Sequence, residues 1–535
     1  MSQTKKLLFL LIPSLYILLG GYIHQMIGLY SLRSADPEYI YFISGLSVAC
    51  GKLELGHIDN PGTPLQYLAA LVFRLVYLFR SHQIPFMEDV LSKPDMYLRV
   101  LNLVLTVVVA TFMYFAGKAA SRISGKLSYG MVLQTAPFFT PIIFGNIGRI
   151  TPENLLPLPA MLLSLLILKF IYSGENQSNR KNAVLFGLVS AFGLSIKLTY
   201  FPLWIIPLVV LTGWKNKVWY SFSAIISFFV IALPVTLQFH VFRHWVKSLF
   251  MHSGQYGKGE SNIIDWSTIG PNFSQLTGES RIFFLVFIAM VILLLVWFFL
   301  KRNENIKLLQ RISVALSLAV LIQIAIVCKH FEHRYFIPSL MLAPMLLIMI
   351  LEFSKKWHFQ LGKYNLSYVA LLLFFLFYAA KQRPVTESLS SYFDREYEQR
   401  MPAWHFMENI EKDAVKILVP GFYGCPTPEY ALMSSYGWAG KQKELFKPVL
   451  GKLYPNTFIY YFWDKTVNFW ADGPQLKETD KPVYIYLEHF KHREVFEEDM
   501  RSYFPENYKL EQVFFNEPTN EVVFKLIRQA SDLSS

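Results

Sequence analysis

The sequence predicts a mainly α-helical, multi-pass membrane protein with a small α/β domain near its C-terminus. The first observation is composition: 53% of the 535 residues are hydrophobic and 16% are charged, more apolar surface than a single soluble core would bury. The second is that apolar runs of about 20 residues, long enough to cross a bilayer, recur up to residue 381. The third is that the remaining tail contains short strand-like runs separated by helical or turn-rich segments.

About eleven apolar runs read as spans, and the fifth and sixth of them are short and joined without a polar loop. They cover residues 7–29, 97–117, 127–147, 154–173, 182–198, 199–214, 218–240, 281–300, 312–328, 335–351 and 365–381. Lys5 and Lys6 precede the first run and no small-residue cleavage site follows it. We therefore expect a retained anchor and not a removed signal peptide.

Basic loops predict the orientation of the bundle. Starting from Lys5 and Lys6, every second loop is short and rich in Lys and Arg, which is the signature of cytoplasmic loops. The sequence therefore predicts a protein of the cytoplasmic (inner) membrane with its N-terminus in the cytoplasm. The external side receives the first long loop, residues 30–95, and everything after Gln382.

Two domains follow from this pattern: a transmembrane domain, residues 1–381, and an extracytoplasmic α/β domain, residues 382–535. In the first external loop, residues 37–50 and 63–80 are typical of amphipathic helices that lie on the membrane surface. In the tail, AWHFMENIEKDA resembles a helix. The runs with strand character are AVKILVPG, NTFIYYFW, PVYIYLEHF, YKLEQVFF and EVVFKLI.

The net charge of +12 is unevenly distributed. From Gln382 onward there are 18 Lys and Arg against 23 Asp and Glu, whereas the apolar part carries 32 against 15. Basic residues on membrane loops reflect topology and contact with anionic lipids, so membrane lipids are expected partners and nucleic acid is not. Cys50, Cys328 and Cys425 show no C-x-x-C spacing, and we expect neither a zinc site nor a disulfide framework.

Ionisable residues gather at span ends on the predicted external side. Charged groups at membrane depth are costly, and by default they mark a functional cavity. The candidates are Asp36, Glu38, His57, Asp59, Arg149, Glu153, Lys197, His333 and Arg334, with Lys329, His330 and Glu332 beside the last two. Together they form a mixed anionic and cationic set.

Plainer roles fit the same residues. In SADPEY and ITPEN, the residue before the proline can cap a helix and the acid after it can face the helix dipole. Asp36 would then be a cap and Glu38 and Glu153 dipole partners, a role compatible with anion binding at a helix N-terminus. Lys197 and Arg334 could be snorkelling residues near span ends.

Transfer of a sugar from a lipid phosphate needs both kinds of charge. A carboxylate must remove a proton from a weakly nucleophilic acceptor hydroxyl. Cations must stabilise the departing phosphate, which gains negative charge as it leaves. An acid at the start of the first external loop, facing Arg and Lys from other span ends, would supply both requirements, and the membrane would supply a groove for a polyprenyl tail.

Over about the first 350 residues the chain resembles the C-type integral-membrane glycosyltransferases, and among them the protein O-mannosyltransferase and aminoarabinose-transferase group. The resemblance rests on the order and common external placement of several short motifs, each weak alone. They are DPEY after the first span, GHIDNPGTPLQYL, GRITPENLLPL, LSIKLTYFPL and HRYFIPSLMLAP. NPGTPL replaces an expected Pro-Pro pair, and ITPEN has Glu where many relatives have Asp.

This resemblance implies an inverting, metal-independent transfer from a polyprenyl-phosphate sugar without a cofactor. Asp36 would be the general base, Glu153 would occupy the second acidic position, and Lys197 and Arg334 would contact the donor phosphate. Charge and position add Arg149 to the phosphate site, and Glu38, His57, Asp59 and His333 to an acceptor or loop site. The tail resembles no named domain, so the acceptor, whether lipid, glycan or protein, stays open.

Two rival functions share these features. One is an oligosaccharide ligase or an oligosaccharyltransferase-like enzyme, which would use a pyrophosphate donor and, in the second case, a divalent metal. The other is a lipid-linked-glycan transporter or a silent scaffold. Transporters usually show paired repeats with broken helices near the bilayer midplane, and no such symmetry is evident in the sequence.

Overall fold

The computed structural model describes residues 3–33, 35–80, 84–139, 145–253, 257, 259–261, 266–300, 304–355, 360–361, 364–419, 425–461, 466–469, 479–504 and 506–528. Its chain contacts divide into two compact units. We call Met1–Ile23, Ile58–Leu65 and Asn102–Ser388 the membrane unit, and His24–His57, Gln66–Leu101 and Leu389–Ser535 the α/β unit.

Helices dominate the described chain. The α-helices are α1 (Gln3–Ile27), α2 (Glu38–Ala49), α3 (Thr63–Leu78), α4 (Phe86–Ser92), α5 (Pro94–Ser124), α6 (Leu127–Gln134), α7 (Pro157–Ser173), α8 (Arg180–Ile196), α9 (Ile205–Val210), α10 (Trp214–Ile231), α11 (Leu233–Leu237), α12 (Phe239–Met251), α13 (Trp266–Glu279), α14 (Arg281–Leu300), α15 (Glu304–Lys329), α16 (Ile337–Leu340), α17 (Ala343–Ser354), α18 (Leu366–Glu408), α19 (Pro428–Tyr436), α20 (Lys443–Leu453) and α21 (Arg493–Met500). The 3₁₀ helices are Tyr30–Leu32, Ala136–Phe139, Pro152–Leu155, Glu175–Gln177, Leu198–Trp204, His333–Phe336, Gly437–Gln442 and Phe490–His492.

Six helical segments in the described part of the chain are long and apolar enough to cross a membrane. They are Leu7–Ile27, Pro94–Ser124, Pro152–Ser173, Arg281–Leu300, Ile306–Lys329 and His333–Ser354. The other expected spans correspond to helices that are shorter, interrupted or extended. The run at 199–214, for example, is a 3₁₀ helix containing Pro202 followed by the short α9, because proline removes a backbone donor and crowds the preceding turn. The multi-pass helical bundle is confirmed, and the number of eleven spans stays a prediction.

Both helices expected in the first external loop are present, at α2 and α3. Helix α3 exposes Leu71, Leu75 and Leu78, and Phe79 directly after it is exposed as well, as expected of an interfacial helix. Helix α2 differs from the expected surface helix, because its residues from Glu38 to Ser47 are all buried. Ala69 of α3 lies so close to Gly45 that a Cβ there would be 2.5 Å from the Ala69 Cβ.

The α/β unit contains a six-stranded mixed sheet with the order β5-β4-β3-β6-β8-β7. Its strands are β3 (Val415–Val419), β4 (Thr457–Tyr461), β5 (Thr466–Phe469), β6 (Val483–Leu487), β7 (Tyr508–Asn516) and β8 (Glu521–Arg528), and the two-residue β1 (Gln360–Leu361) and β2 (Tyr364–Asn365) pair separately in the membrane unit. β3 pairs in parallel with both β4 and β6, and the remaining pairs are antiparallel. All five predicted strands are present, and β5 is an addition.

One face of this sheet holds the apolar core of the α/β unit. Ile417, Tyr460 and Ile485 from the three parallel strands pack with Phe496 of α21 and with Phe504. The strands read as nearly continuous apolar runs because parallel strands are covered on both faces. Strand β3 leads through α19 and α20 to β4 on one side, while β6 lies on the other, so the chain changes direction across the sheet at the β3–β6 pair.

Candidate active site

A buried ion pair lies at the end of α8. Lys197 follows the helix with an extended backbone, φ −156° and ψ 135°, and its Nζ donates a hydrogen bond to Glu153 Oε1. Each of the two residues is 3% exposed. Burial of both charges is tolerated only because they pair closely, since an isolated charge in an apolar interior is strongly disfavoured. Lys197 therefore contacts an acid inside the unit and does not extend to the surface.

Glu153 lies where the sequence pattern predicts a helix start. Thr151 occupies the N-cap position and Pro152 is the first residue of the 3₁₀ helix Pro152–Leu155. The Thr151 hydroxyl makes no capping hydrogen bond among the described residues. The helix-start position matches the capping interpretation, while the carboxylate itself is engaged by Lys197.

Arg334 adds a second cation to this pair. Its guanidinium is near enough for its charge to act on both Glu153 and Lys197. The Tyr335 ring lies between the cations, with its centroid 5.2 Å from Lys197 Nζ and 5.8 Å from Arg334 Cζ. The Gln323 amide links the two segments that carry these residues, because it donates to the Tyr335 carbonyl at 2.7 Å and to the Thr199 carbonyl at 3.0 Å. The membrane unit thus brings together one acid and two cations of the predicted set.

Asp59 belongs to a segment anchored beside this cluster. It is half-buried, and the Gly62 N–H three residues later donates to the Ile196 carbonyl at 3.2 Å, next to Lys197 in the chain.

The Arg149 carbonyl accepts hydrogen bonds from the side chains of Asn102 and Asn154 at 3.1 and 2.8 Å. These bonds hold the turn that precedes Pro152.

His333 is engaged by other residues of the membrane unit. Its Nδ1 lies 2.7 Å from Glu279 Oε2, and its Nε2 lies 2.7 Å from Ser280 Oγ. Both nitrogens therefore contact the end of α13 and the residue that follows it. The acceptor or loop role predicted for His333 would require it to leave these partners.

Asp36 and Glu38 differ sharply in their surroundings within the α/β unit. Asp36 is exposed, whereas Glu38 is the first residue of α2 and is fully buried. The sequence pattern suggested Asp36 as the helix cap, but the structure has Pro37 at the N-cap position and Asp36 one residue before it, so the capping interpretation of Asp36 is wrong. Burial, and then the nearby Glu38 and Asp95 carboxylates, raise the pKa of Tyr30 well above its usual range. Of the two acids, only Asp36 is open to an external molecule.

His57 is packed into the same unit. It is 8% exposed, with ring centroids 5.3 Å from Tyr41 and 5.8 Å from Trp438, both in edge-on contact. Its carbonyl accepts a hydrogen bond from Gln66 Nε2 at 2.9 Å. This environment resembles that of a structural loop histidine more than that of an exposed catalytic base.

The α/β unit holds the first loop through residues that sequence reasoning missed. The Cys425 N–H donates to the Ser31 carbonyl at 2.8 Å, and the Gln442 side chain donates to the Glu54 carbonyl at 3.2 Å. Glu488, 8% exposed, follows β6 at the carboxyl edge of the parallel strands. Burial, and then the Glu488 charge, raise the pKa of the Cys425 thiol to about 12. No sequence motif marks the two hydrogen bonds to the first loop, because their partners are hundreds of residues apart.

The described residues also bear on metal binding. Within the described ranges, no group of three or more His, Cys, Asp or Glu side chains is arranged to hold a metal ion. Glu153, Lys197 and Arg334 together carry one positive charge, and the Glu332 carboxylate, 3.8 Å from Arg334 Nε, offsets it. The two cations can face an anion through side chains of the chain itself.

The described chain contains a multi-pass helical bundle and a mixed α/β sheet. This is the fold of a C-type integral-membrane glycosyltransferase, and it confirms the predicted resemblance and fold class. One solved structure that it resembles in fold is "Crystal Structure of ArnT from Cupriavidus metallidurans bound to Undecaprenyl phosphate". The two are 11% identical with a TM-score of 0.50, and the match covers 96% of this chain and 97% of that chain. No family model and no curated protein matches the chain.

Proposed function

We propose that the protein is a membrane glycosyltransferase that moves a sugar from a polyprenyl-phosphate donor to an acceptor on the external face of the cytoplasmic membrane. The observation that carries the proposal is the fold match, which extends over nearly the whole of both chains to a structure solved with undecaprenyl phosphate bound. The buried Glu153–Lys197 pair, with the partly exposed Arg334 near it, supports the proposal, because a polyprenyl phosphate leaving group needs cations that stabilise its growing negative charge.

In the proposed reaction Asp36 acts as general base. The acceptor hydroxyl oxygen attacks the anomeric carbon from the face opposite the phosphate, and the Asp36 carboxylate takes its proton. The bond between the anomeric carbon and the phosphate oxygen breaks, and polyprenyl phosphate leaves with the bonding electrons. Configuration at the anomeric carbon is therefore inverted. The exposure of Asp36 supports this role, since a base must contact the acceptor.

Lys197 and Arg334 would neutralise the phosphate as it departs. Glu153, predicted to be the second acid, would act by keeping Lys197 charged and oriented through their buried hydrogen bond. Arg149 would extend the cationic site from the turn before Pro152. Glu38, His57, Asp59 and His333 would shape the acceptor side. The acceptor is a lipid, a glycan or a protein, and the proposed reaction needs neither metal nor cofactor.

The decisive experiment measures release of undecaprenyl phosphate by the full-length protein in detergent micelles, with a panel of undecaprenyl-phosphate sugars as donors. Asp36→Asn removes the base and should slow release by about 10²–10⁴-fold, whereas Glu517→Gln, at an exposed turn, should not. Full activity of Asp36→Asn would eliminate Asp36 as the base. A transporter would release no product, because micelles present no second compartment, and inhibition by a chelator would favour the metal-dependent alternative.

A further inference from the structure

The α/β unit contains a cavity of about 410 Å³, formed where the first loop meets the C-terminal part of the chain. Its lining includes Leu29, Lys93, Asp95, Trp404, Lys416 and Glu429. All of these residues belong to the α/β unit, and none belongs to the predicted active site. Small-molecule sites usually measure roughly 300–1,000 Å³, so the cavity can hold a ligand of one or two sugar rings in size.

The sequence positions of the lining residues indicate the depth of the cavity relative to the membrane. Leu29 follows the apolar segment Leu7–Ile27 by two residues, and Asp95 is the second residue of the apolar segment Pro94–Ser124. The cavity therefore lies where two spans leave the hydrocarbon region, at the level of lipid headgroups. Trp404, which is half-buried in its wall, is the residue type that favours this level.

Two of the charged groups of the wall, Lys416 and Glu429, pair with each other, whereas Asp95 and Lys93 pair with Arg99 and Asp89 behind the wall. Glu429 Oε1 accepts from Lys416 Nζ at 3.2 Å and from Thr457 Oγ1 at 3.2 Å. Asp95 accepts from the Tyr30 N–H at 2.9 Å and lies 3.2 Å from Arg99 Nε. Each carboxylate has four lone-pair sites and Lys416 has three N–H donors, so the paired groups keep capacity for hydroxyl partners. Because Lys416 and Glu429 neutralise each other, this pair favours a neutral, hydroxyl-rich ligand over an ion.

The remaining wall is apolar, with Leu29, Met96 and Met407 beside the Trp404 ring. A pyranose ring has an apolar C–H face that packs on an indole face, while its hydroxyls point outward to hydrogen-bonding groups. Trp404 next to the Lys416–Glu429 pair offers both surfaces. We propose that this cavity binds the saccharide headgroup of a membrane glycolipid. The site is separate from sugar transfer and does not depend on the proposed function.

The test uses the full-length protein in phosphatidylcholine nanodiscs that also contain glucosyl diacylglycerol or, in a second arm, diacylglycerol alone. Native mass spectrometry then counts the lipids retained by the protein. We expect retention of the glucosyl lipid over diacylglycerol, and about tenfold less retention by Trp404→Ala. Trp266→Ala removes an indole that is 77% exposed and outside the cavity, and should behave as the wild type.

A second variant, which fills the cavity with a larger side chain, distinguishes loss of binding from misfolding of Trp404→Ala. Glu408 is exposed at the cavity wall, so Glu408→Trp should block binding without disturbing a buried contact. Maltose added in solution separates a free glycan from a lipid-borne one: competition at low concentration would assign the site to soluble saccharides and overturn the lipid part of the proposal. Equal retention of both lipids, or equal retention by wild type and Glu408→Trp, would overturn it entirely. No donor sugar is present, so transferase activity does not affect the result.

Discussion

Gly440 lies backbone to backbone against Gly56. A Cβ atom at Gly440 would be 2.8 Å from Gly56 Cα, and one at Gly56 would be 2.6 Å from Gly440 N. Gly440 also has φ +58° and ψ −130°, a conformation that side chains disfavour. This contact joins the 3₁₀ helix Gly437–Gln442 to the loop that leads to His57, and it leaves room for hydrogen atoms only.

We therefore expect Gly440→Ala to destabilise the α/β unit. Backbone strain at such a position costs about 1–3 kcal/mol, and displacement of Gly56 adds to it. The midpoint of thermal unfolding in detergent, followed by intrinsic fluorescence, measures the change. Gly278→Ala in α13 is the matched control, because its Cβ meets nothing within 4 Å. It should leave stability unchanged or raise it by up to about 1 kcal/mol. Equal midpoints for the two variants would contradict the close contact.

The Glu153–Lys197 pair predicts a double-mutant cycle with opposite outcomes for stability and activity. Glu153→Gln or Lys197→Met alone leaves one buried charge unpaired and should lower the free energy of unfolding by roughly 3–5 kcal/mol. The double variant removes both charges and should recover much of that loss. Urea unfolding followed by fluorescence would measure the four proteins.

Transfer should not recover with stability in this cycle. Lys197→Met and the double variant both lack the cation proposed to face the phosphate, so release of undecaprenyl phosphate should stay low in both. A double variant that regains activity along with stability would show that the pair is structural. The loss in Lys197→Met would then be a folding effect.

The orientation predicted from basic loops can be tested by thiol labelling in intact cells. Lys215 and Glu517 are both exposed, and they lie on opposite predicted sides. In a Cys50→Ser background, a membrane-impermeant maleimide should label Glu517→Cys in intact cells and Lys215→Cys only after permeabilisation. Cys328 and Cys425 are buried and should contribute little background. The reverse pattern would place the α/β unit in the cytoplasm.

Much of the fold could be predicted from local pattern. The span predicted at 281–300 coincides with α14, and the five apolar tail runs coincide with strands, because period and length are properties of contiguous residues. The single span predicted at 127–147 differs from the structure. It contains α6 and then the 3₁₀ helix Ala136–Phe139, in which Pro137 prevents continuation, and residues 140–144 lie outside the described chain. Strand β5 was missed because four residues of mixed polarity form a strand only by pairing with β4.

The sequence predicted which charged residues belong to the candidate site, but not which of them contact each other. Charge at predicted span ends singled out Glu153, Lys197 and Arg334, and the structure brings these three together. Sequence could not show that Glu153 contacts Lys197, since the two are 44 residues apart and the bond depends on how the spans pack. The burial of α2 was equally hidden, because the residues that cover it come from the far end of the chain.

The bond from Gln442 to Glu54 joins groups 388 positions apart, which has a consequence for biosynthesis. At roughly 5–20 residues per second, a ribosome needs about 20–80 s to make the intervening chain. During that interval the segment with Asp36 and α2 has already been made but lacks the surface that buries it. A stalled or truncated product therefore lacks the strands and helices that cover α2, and the surroundings of Asp36 are complete only in a finished polypeptide.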